Sequence, residues 1–267
     1  MSFKINTNLD ALQAYNALAK VNNETTQAQL RLATQKRINS VADDTSGYRV
    51  GKELEGKVAI MKAAQGNLAS AKNILATAES ALSSINDLLT QIKGKVADAS
   101  DPTKNLASLA NDINALGNEI SAMFVNTKFN DTALLSGSAV PSGANFSFKT
   151  GESETTTVNF GTLSTLTLGS ITGATSANIT SISVTTIENS VRNALSSIGN
   201  FVQRFEVKDE YLTAAITNAT SSVSRLFDTD MAMEQLNATK GQIGQQIATA
   251  MLAQLNAAPS SLLSLFQ

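Results

Sequence analysis

Apolar residues recur every seven positions along one stretch of the chain. Leu54, Met61, Leu68, Leu75, Leu82, Leu89 and Val96 keep this step without a slip, and Ala64, Ala71, Ala78, Ile85 and Ile92 follow three positions after the later members. Such a pattern is the a/d seam of a helical coil, and alanine at the second position lets a neighbouring helix come close. The spacing predicts one helix from Thr45 to Ser100, roughly 80 Å long at ~1.5 Å per residue. Asp43 and Asp44 favour its start by capping and by charge. Asp101-Pro102 ends it, because the residue before a proline is pushed out of the α region.

A second helix follows, with Leu106, Leu109, Ile113, Leu116, Ile120 and Met123 at steps of three and four. The short turn between the two makes them antiparallel neighbours. Helical spacing returns at Ile187 and runs through Val191, Ala194, Ile198, Phe201, Phe205, Leu212, Ala215, Ala219 and Leu226, with Lys208 as a polar intruder in the stripe. The C-terminal stretch repeats it at Ile243, Ile247, Met251, Leu255, Ala258, Leu262 and Leu265, and Leu9 to Leu32 is helix-like but less regular. Residues 136–186 differ in kind: they are rich in Ser, Thr and Gly and poor in charge. Asn145–Lys149 and Thr155–Phe160 alternate polar with apolar around Gly151 and Glu152, which predicts a hairpin or small β element. The expected fold is mainly α, built of long antiparallel coiled-coil helices with a small β-rich insertion in mid-chain.

Composition narrows the chemistry. The 267 residues include no His and no Cys. That excludes the usual zinc sites, His-assisted nucleophiles and all disulfides. The formal net charge of −2 gives no basic stripe for a nucleic acid. Aromatics make up only 5%, and the 3 Pro leave long helices uninterrupted. No apolar run is long enough to cross a membrane, so no membrane insertion is expected. The first residues lack a basic region followed by an apolar one, so no cleaved secretory signal is expected. Asp228, Asp230 and Glu234 could be read as a divalent-metal site. No ligand loop or glycine turn accompanies them, and a solvated helix start is the favoured reading. No catalytic constellation and no cofactor are expected.

The apolar stripes at both ends pose a physical problem. Isolated amphipathic helices are marginal in water, and another copy of the chain is the economical partner. The residues that would carry such an assembly are Ile5, Leu9, Leu12, Ile243, Ile247, Met251, Leu255, Leu262 and Leu265.

These same residues resemble bacterial flagellin, in a short form lacking large outer domains. Ile5-Asn6-Thr7-Asn8 is similar to the family's opening. Arg37-Ile38-Asn39-Ser40, followed by Asp43-Asp44 and Gly47, is similar to its Arg-Ile-Asn-Ser…Asp-Asp…Gly stretch. Asn126-Thr127-Lys128-Phe129-Asn130 resembles the segment ending in Phe-Asn-Gly. Leu226–Glu234, Gln242–Gln246, Met251–Asn256, Pro259 and Leu263–Leu265 resemble the family's C-terminal half. The resemblance covers about 1–135 and 187–267.

The resemblance implies a filament subunit, secreted to the extracellular flagellum and catalysing nothing. It implies an inner layer (D0) of residues 1–42 and 227–267, and a surrounding bundle (D1) of 43–135 and 187–226. Residues 136–186 would be the variable segment. Partners so implied are further copies of the chain, an export chaperone on the C-terminal helix, a cap protein and hook-junction proteins, with unfolded export through the type III apparatus. Three departures stand out. Thr34-Gln35 replace the family's Ser-Gly, which disfavours a positive-φ turn and leaves the helix free to run through. Asp131 replaces Gly after Phe-Asn, leaving the turn geometry open. Leu89–Val96 lacks the Glu-Leu pair of the stretch that an innate immune receptor reads, so weak activation is expected. The competing readings are a hook–filament junction protein and a secreted coiled-coil adhesin. Copy number separates the first, and a monomer that persists on salting out would mark the second.

Overall fold

A computed structural model describes residues 8–135, 145–159 and 169–264, without the side chains of 145, 159, 169, 170, 256 and 258–264. The chain runs α1 (Leu9–Thr34), α2 (Thr45–Asp98), α3 (Leu106–Asn126), β1 (Lys128–Phe129), β2 (Thr132–Ala133), β3 (Asn145–Lys149), β4 (Thr155–Asn159), α4 (Gly169–Thr172), a 3-10 turn at Ile179–Ser181, α5 (Thr185–Phe227) and α6 (Met231–Ser264). Two compact units are present: residues 57–217, and residues 1–56 together with 218–267. The division falls inside α2 and inside α5.

In the 57–217 unit the heptad stripe of α2 forms the spine of the core. Leu68, Leu75, Leu82 and Leu89 are buried, as are Ala64, Ala71, Ala78, Ile85 and Ile92. Met61 and Val96 are half-buried. Ile113, Ile120 and Phe124 of α3 pack into the same cluster, with Val191, Ile198 and Phe205 of α5. Asn105 starts α3 by accepting from the backbone N–H groups of Ala107 and Ser108, at 3.0 and 3.1 Å. Gly117 permits the close approach of α4: a Cβ there would lie 2.8 Å from Ile171 Cγ2.

The turn after α3 settles the geometry that Asp131 left open. Asn130 and Asp131 both take positive φ, 48° and 62°. This is the two-residue turn that a right-twisted hairpin favours, and Lys128 pairs with Ala133 across it. β3 and β4 pair antiparallel from Asn145–Asn159 to Lys149–Thr155. Glu152 and Glu154 near their turn pair with Lys57 of α2 and Lys208 of α5, which explains the polar intruder in the α5 stripe. Parts of the mid-chain insertion, 136–144 and 160–168, lie outside the described residues.

In the other unit α1 and α6 lie side by side. Their contacts run in opposite directions along the two helices. Asn8 meets Leu255, Val21 meets Gly244, Thr25 meets Gly241, and Arg31 meets Glu234.

Candidate functional site

The α1–α6 pair is sealed by small residues. Thr25, Ala28 and Ala238 are buried. A Cβ at Gly241 would stand 2.2 Å from Thr25 Oγ1, and one at Gly244 would stand 3.3 Å from Val21 Cγ1. Thr25 Oγ1 donates back to the Val21 carbonyl at 2.7 Å, so its hydroxyl asks nothing of α6. At one end the Asn8 amide donates to the Leu255 carbonyl at 3.1 Å. At the other, Arg31 meets Glu234 at 3.4 Å. Glu234 is buried and also accepts from Asn237. The solvated helix start expected for Asp228, Asp230 and Glu234 is therefore corrected at Glu234, because Arg31 crosses from α1 to neutralise it. Asp230 caps α6 through the backbone N–H groups of Ala232 and Met233. Among the described residues no acidic group is arranged to hold a metal ion.

A second set of contacts ties the two strands of chain leaving this pair. Gln35 ends α1 in the left-handed region with φ 57°. The expectation that the helix would run through here is overturned. The reason is tertiary: the turn lets Arg37 N–H donate to the Phe227 carbonyl at 2.6 Å and Thr229 N–H to the Gln35 carbonyl at 3.2 Å. The Arg37 guanidinium reaches the Leu226 carbonyl at 3.1 Å. These bonds repay the strain of a side chain at positive φ.

The remaining residues of the Arg-Ile-Asn-Ser…Asp-Asp…Gly stretch complete this junction. Asp43 does not cap α2. Its carboxylate accepts from the backbone N–H groups of Ser40 and Asn39 and from the Gln27 amide. These donors, the Ser40 and then the Asn39 N–H foremost, hold its carboxyl below the usual aspartate value. Asp44 is the cap, accepting from Gly47 N–H at 2.9 Å. Gly47 must be small, since its Cβ would lie 2.9 Å from Ile38 Cδ1. Ile38 is buried, and the Asn39 side-chain amide donates to the Lys36 carbonyl. Phe227 is buried with Tyr48 edge-on at 6.2 Å, and a Cβ at Gly51 would lie 2.2 Å from its ring. The sequence reading missed Gly51, Gly241 and the Arg31–Glu234 pair. A glycine inside a helical pattern costs about 1 kcal/mol and asks for a packing reason, which is the signal that could have found the first two.

The expected assembly residues face away from this seam. Leu9, Leu12, Ile243, Ile247 and Met251 are each more than half exposed. Leu255 is half-buried, and so is Leu54 at the start of α2. Ile5, Leu265 and the side chain of Leu262 lie outside the described residues. Tyr15, Leu30, Met233 and Leu236 add to the exposed apolar surface of the pair. Among the described residues no helix is long and apolar enough to cross a membrane. In the 57–217 unit, a shallow groove is lined by Lys72, Glu206, Asp209, Glu210 and Thr213. Lys72 is paired with Asp209 there at 2.9 Å.

Comparison with known proteins gives a consistent picture. Residues 5–140 match the family model for the bacterial flagellin N-terminal helical region, and residues 180–266 match that for the bacterial flagellin C-terminal helical region. The chain is 28% identical over 285 residues to a flagellin of Listeria monocytogenes serovar 1/2a, covering 98% of this chain and 99% of that one. It is 44% identical over 71 residues to a flagellin of Bordetella bronchiseptica, of which it covers only 18%. A crystal structure of Bacillus cereus flagellin matches with a TM-score of 0.41 at 24% identity, over 61% of this chain and 93% of that one.

Proposed function

This chain belongs to the bacterial flagellin family, and on that premise we infer that it is a structural subunit that polymerises into the flagellar filament, the helical propeller of swimming motility. One observation carries the physical side of this reading. The terminal helices satisfy each other along a seam of small residues and leave a second, apolar face uncovered. An apolar face of this kind on both terminal helices is what a repeating contact between copies needs. A contact that joins two different surfaces and does not close makes a filament rather than a ring.

Ile5, Leu9, Leu12, Ile243, Ile247, Met251, Leu255, Leu262 and Leu265 are the residues to which we assign subunit contacts. Residues 1–42 and 227–267 would form the inner layer, and 43–135 with 187–226 the surrounding bundle around the α2 stripe of Leu54, Met61, Leu68, Leu75, Leu82, Leu89 and Val96. Arg37, Ile38, Asn39, Asp43, Asp44 and Gly47 would fix the passage from one layer to the next. Secretion to the extracellular filament, an export chaperone, a cap protein and hook-junction proteins belong to the same proposal, as does the absence of any catalysed reaction.

The test is removal of residues 243–267. The truncated protein keeps the helical signal of its α2–α3–α5 core but fails to sediment as polymer under conditions that polymerise the full chain. Normal filaments from the truncated protein would refute the assignment.

A further inference from the structure

We propose that Met233 and Met251 form an oxidation site through which a hydroperoxide reversibly blocks assembly. The inference rests on the assembly reading of the α6 surface and adds a chemical control to it. The two residues stand 18 positions apart, which is five turns of an α-helix and returns to the same azimuth. Both are more than half exposed, on the side of α6 that also carries Leu236, Ile243 and Ile247. Met61 and Met123, by contrast, are half-buried in the other unit. Met231 is also exposed, but its position in the helical wheel sets it well off that face. It is thus a built-in control on the same helix.

The chemistry is a two-electron oxygen transfer. A lone pair of the thioether sulfur attacks the terminal oxygen of the hydroperoxide. The S–O bond forms as the O–O bond breaks, and the leaving oxygen takes the proton to become water or an alcohol. The sulfur is oxidised to the sulfoxide and the peroxide is reduced. The product replaces a soft apolar tip with a strong hydrogen-bond acceptor, among the exposed apolar side chains of Leu236, Ile243 and Ile247. Burying it against another copy then leaves an unpaired polar group. In the free subunit the same group is solvated and costs nothing.

The experiment needs no substitution. The full-length free subunit is treated with hydrogen peroxide until about half of its exposed thioethers are oxidised, then polymerised and sedimented. Peptide mapping by mass spectrometry gives the sulfoxide content at each methionine in pellet and supernatant. Sulfoxide at Met233 and Met251 is expected to be depleted from the pellet by about tenfold, whereas sulfoxide at Met231 partitions evenly. Treatment with the two methionine sulfoxide reductases, one for each epimer, and a dithiol as reductant restores polymerisation, and helical circular dichroism of the oxidised subunit stays unchanged. Equal sulfoxide at Met233 and Met251 in the two fractions would overturn the inference while the assembly reading stands. Loss of helix on oxidation would overturn it as well, since the effect would then lie in folding. Failure of the untreated protein to polymerise would sink both.

Discussion

Gln35 holds a left-handed backbone conformation that a glycine would adopt without strain. Substituting Gln35→Gly is therefore expected to raise the stability of the α1–α6 unit by about 0.5–1 kcal/mol, read from the denaturation midpoint. A loss of stability would show that the Gln35 side chain contributes more than the strain costs. Asp43 gives a prediction in pH. Its native carboxyl titrates below its ordinary value. Its contribution is complete above that ordinary value, about 3.9, and disappears as the pH falls through the lower native one. Asp43→Asn should lose stability at neutral pH, and it should converge on the wild type as the pH falls below that lower native value. Parallel acid-denaturation curves for the two proteins, displaced by the same amount at every pH, would contradict this.

Among the helices, the α1–α6 seam depends on the absence of a side chain. Gly241→Ala places a methyl group against Thr25 and should cost about 1–3 kcal/mol in the unfolding free energy of the pair. Thr25→Ala added to it should recover part of that loss, because the clash is mainly with the hydroxyl. A neutral Gly241→Ala would mean that the helices part without penalty. The same seam explains what the sequence could and could not reveal. The seven-residue step of α2 was legible because Leu68 to Leu89 meet one core and each buried position is apolar. The face joining α1 to α6 was not, since Thr25, Ala28, Ala238 and Gly241 carry almost no hydrophobic signal. Periodicity picked out Ile243, Ile247 and Met251, and these stay exposed. The turn at Gln35 escaped because the bonds that pay for it come from Phe227 and Thr229, nearly two hundred positions along the chain.

For the whole molecule, the two units differ in how their helices are supported. α2 between Leu68 and Ile92 is buried in a continuous apolar cluster, whereas α1 and α6 share a narrow seam with few buried side chains. In the dilute free subunit, amides of α1 and α6 should exchange well before those of the buried α2 stretch, and polymerisation should slow them. Equal protection in the free subunit would argue against a surface completed by neighbours. The Asn8–Leu255 hydrogen bond has a further consequence. It joins positions 247 residues apart, so loop closure between them comes late. A chain that is threaded out lengthwise, from either end, brings one terminal helix into the open long before its mate. Until the mate arrives, that helix is a lone amphipathic rod with both its sides bare, and anything that must hold it in the meantime meets the seam as well as the outer stripe.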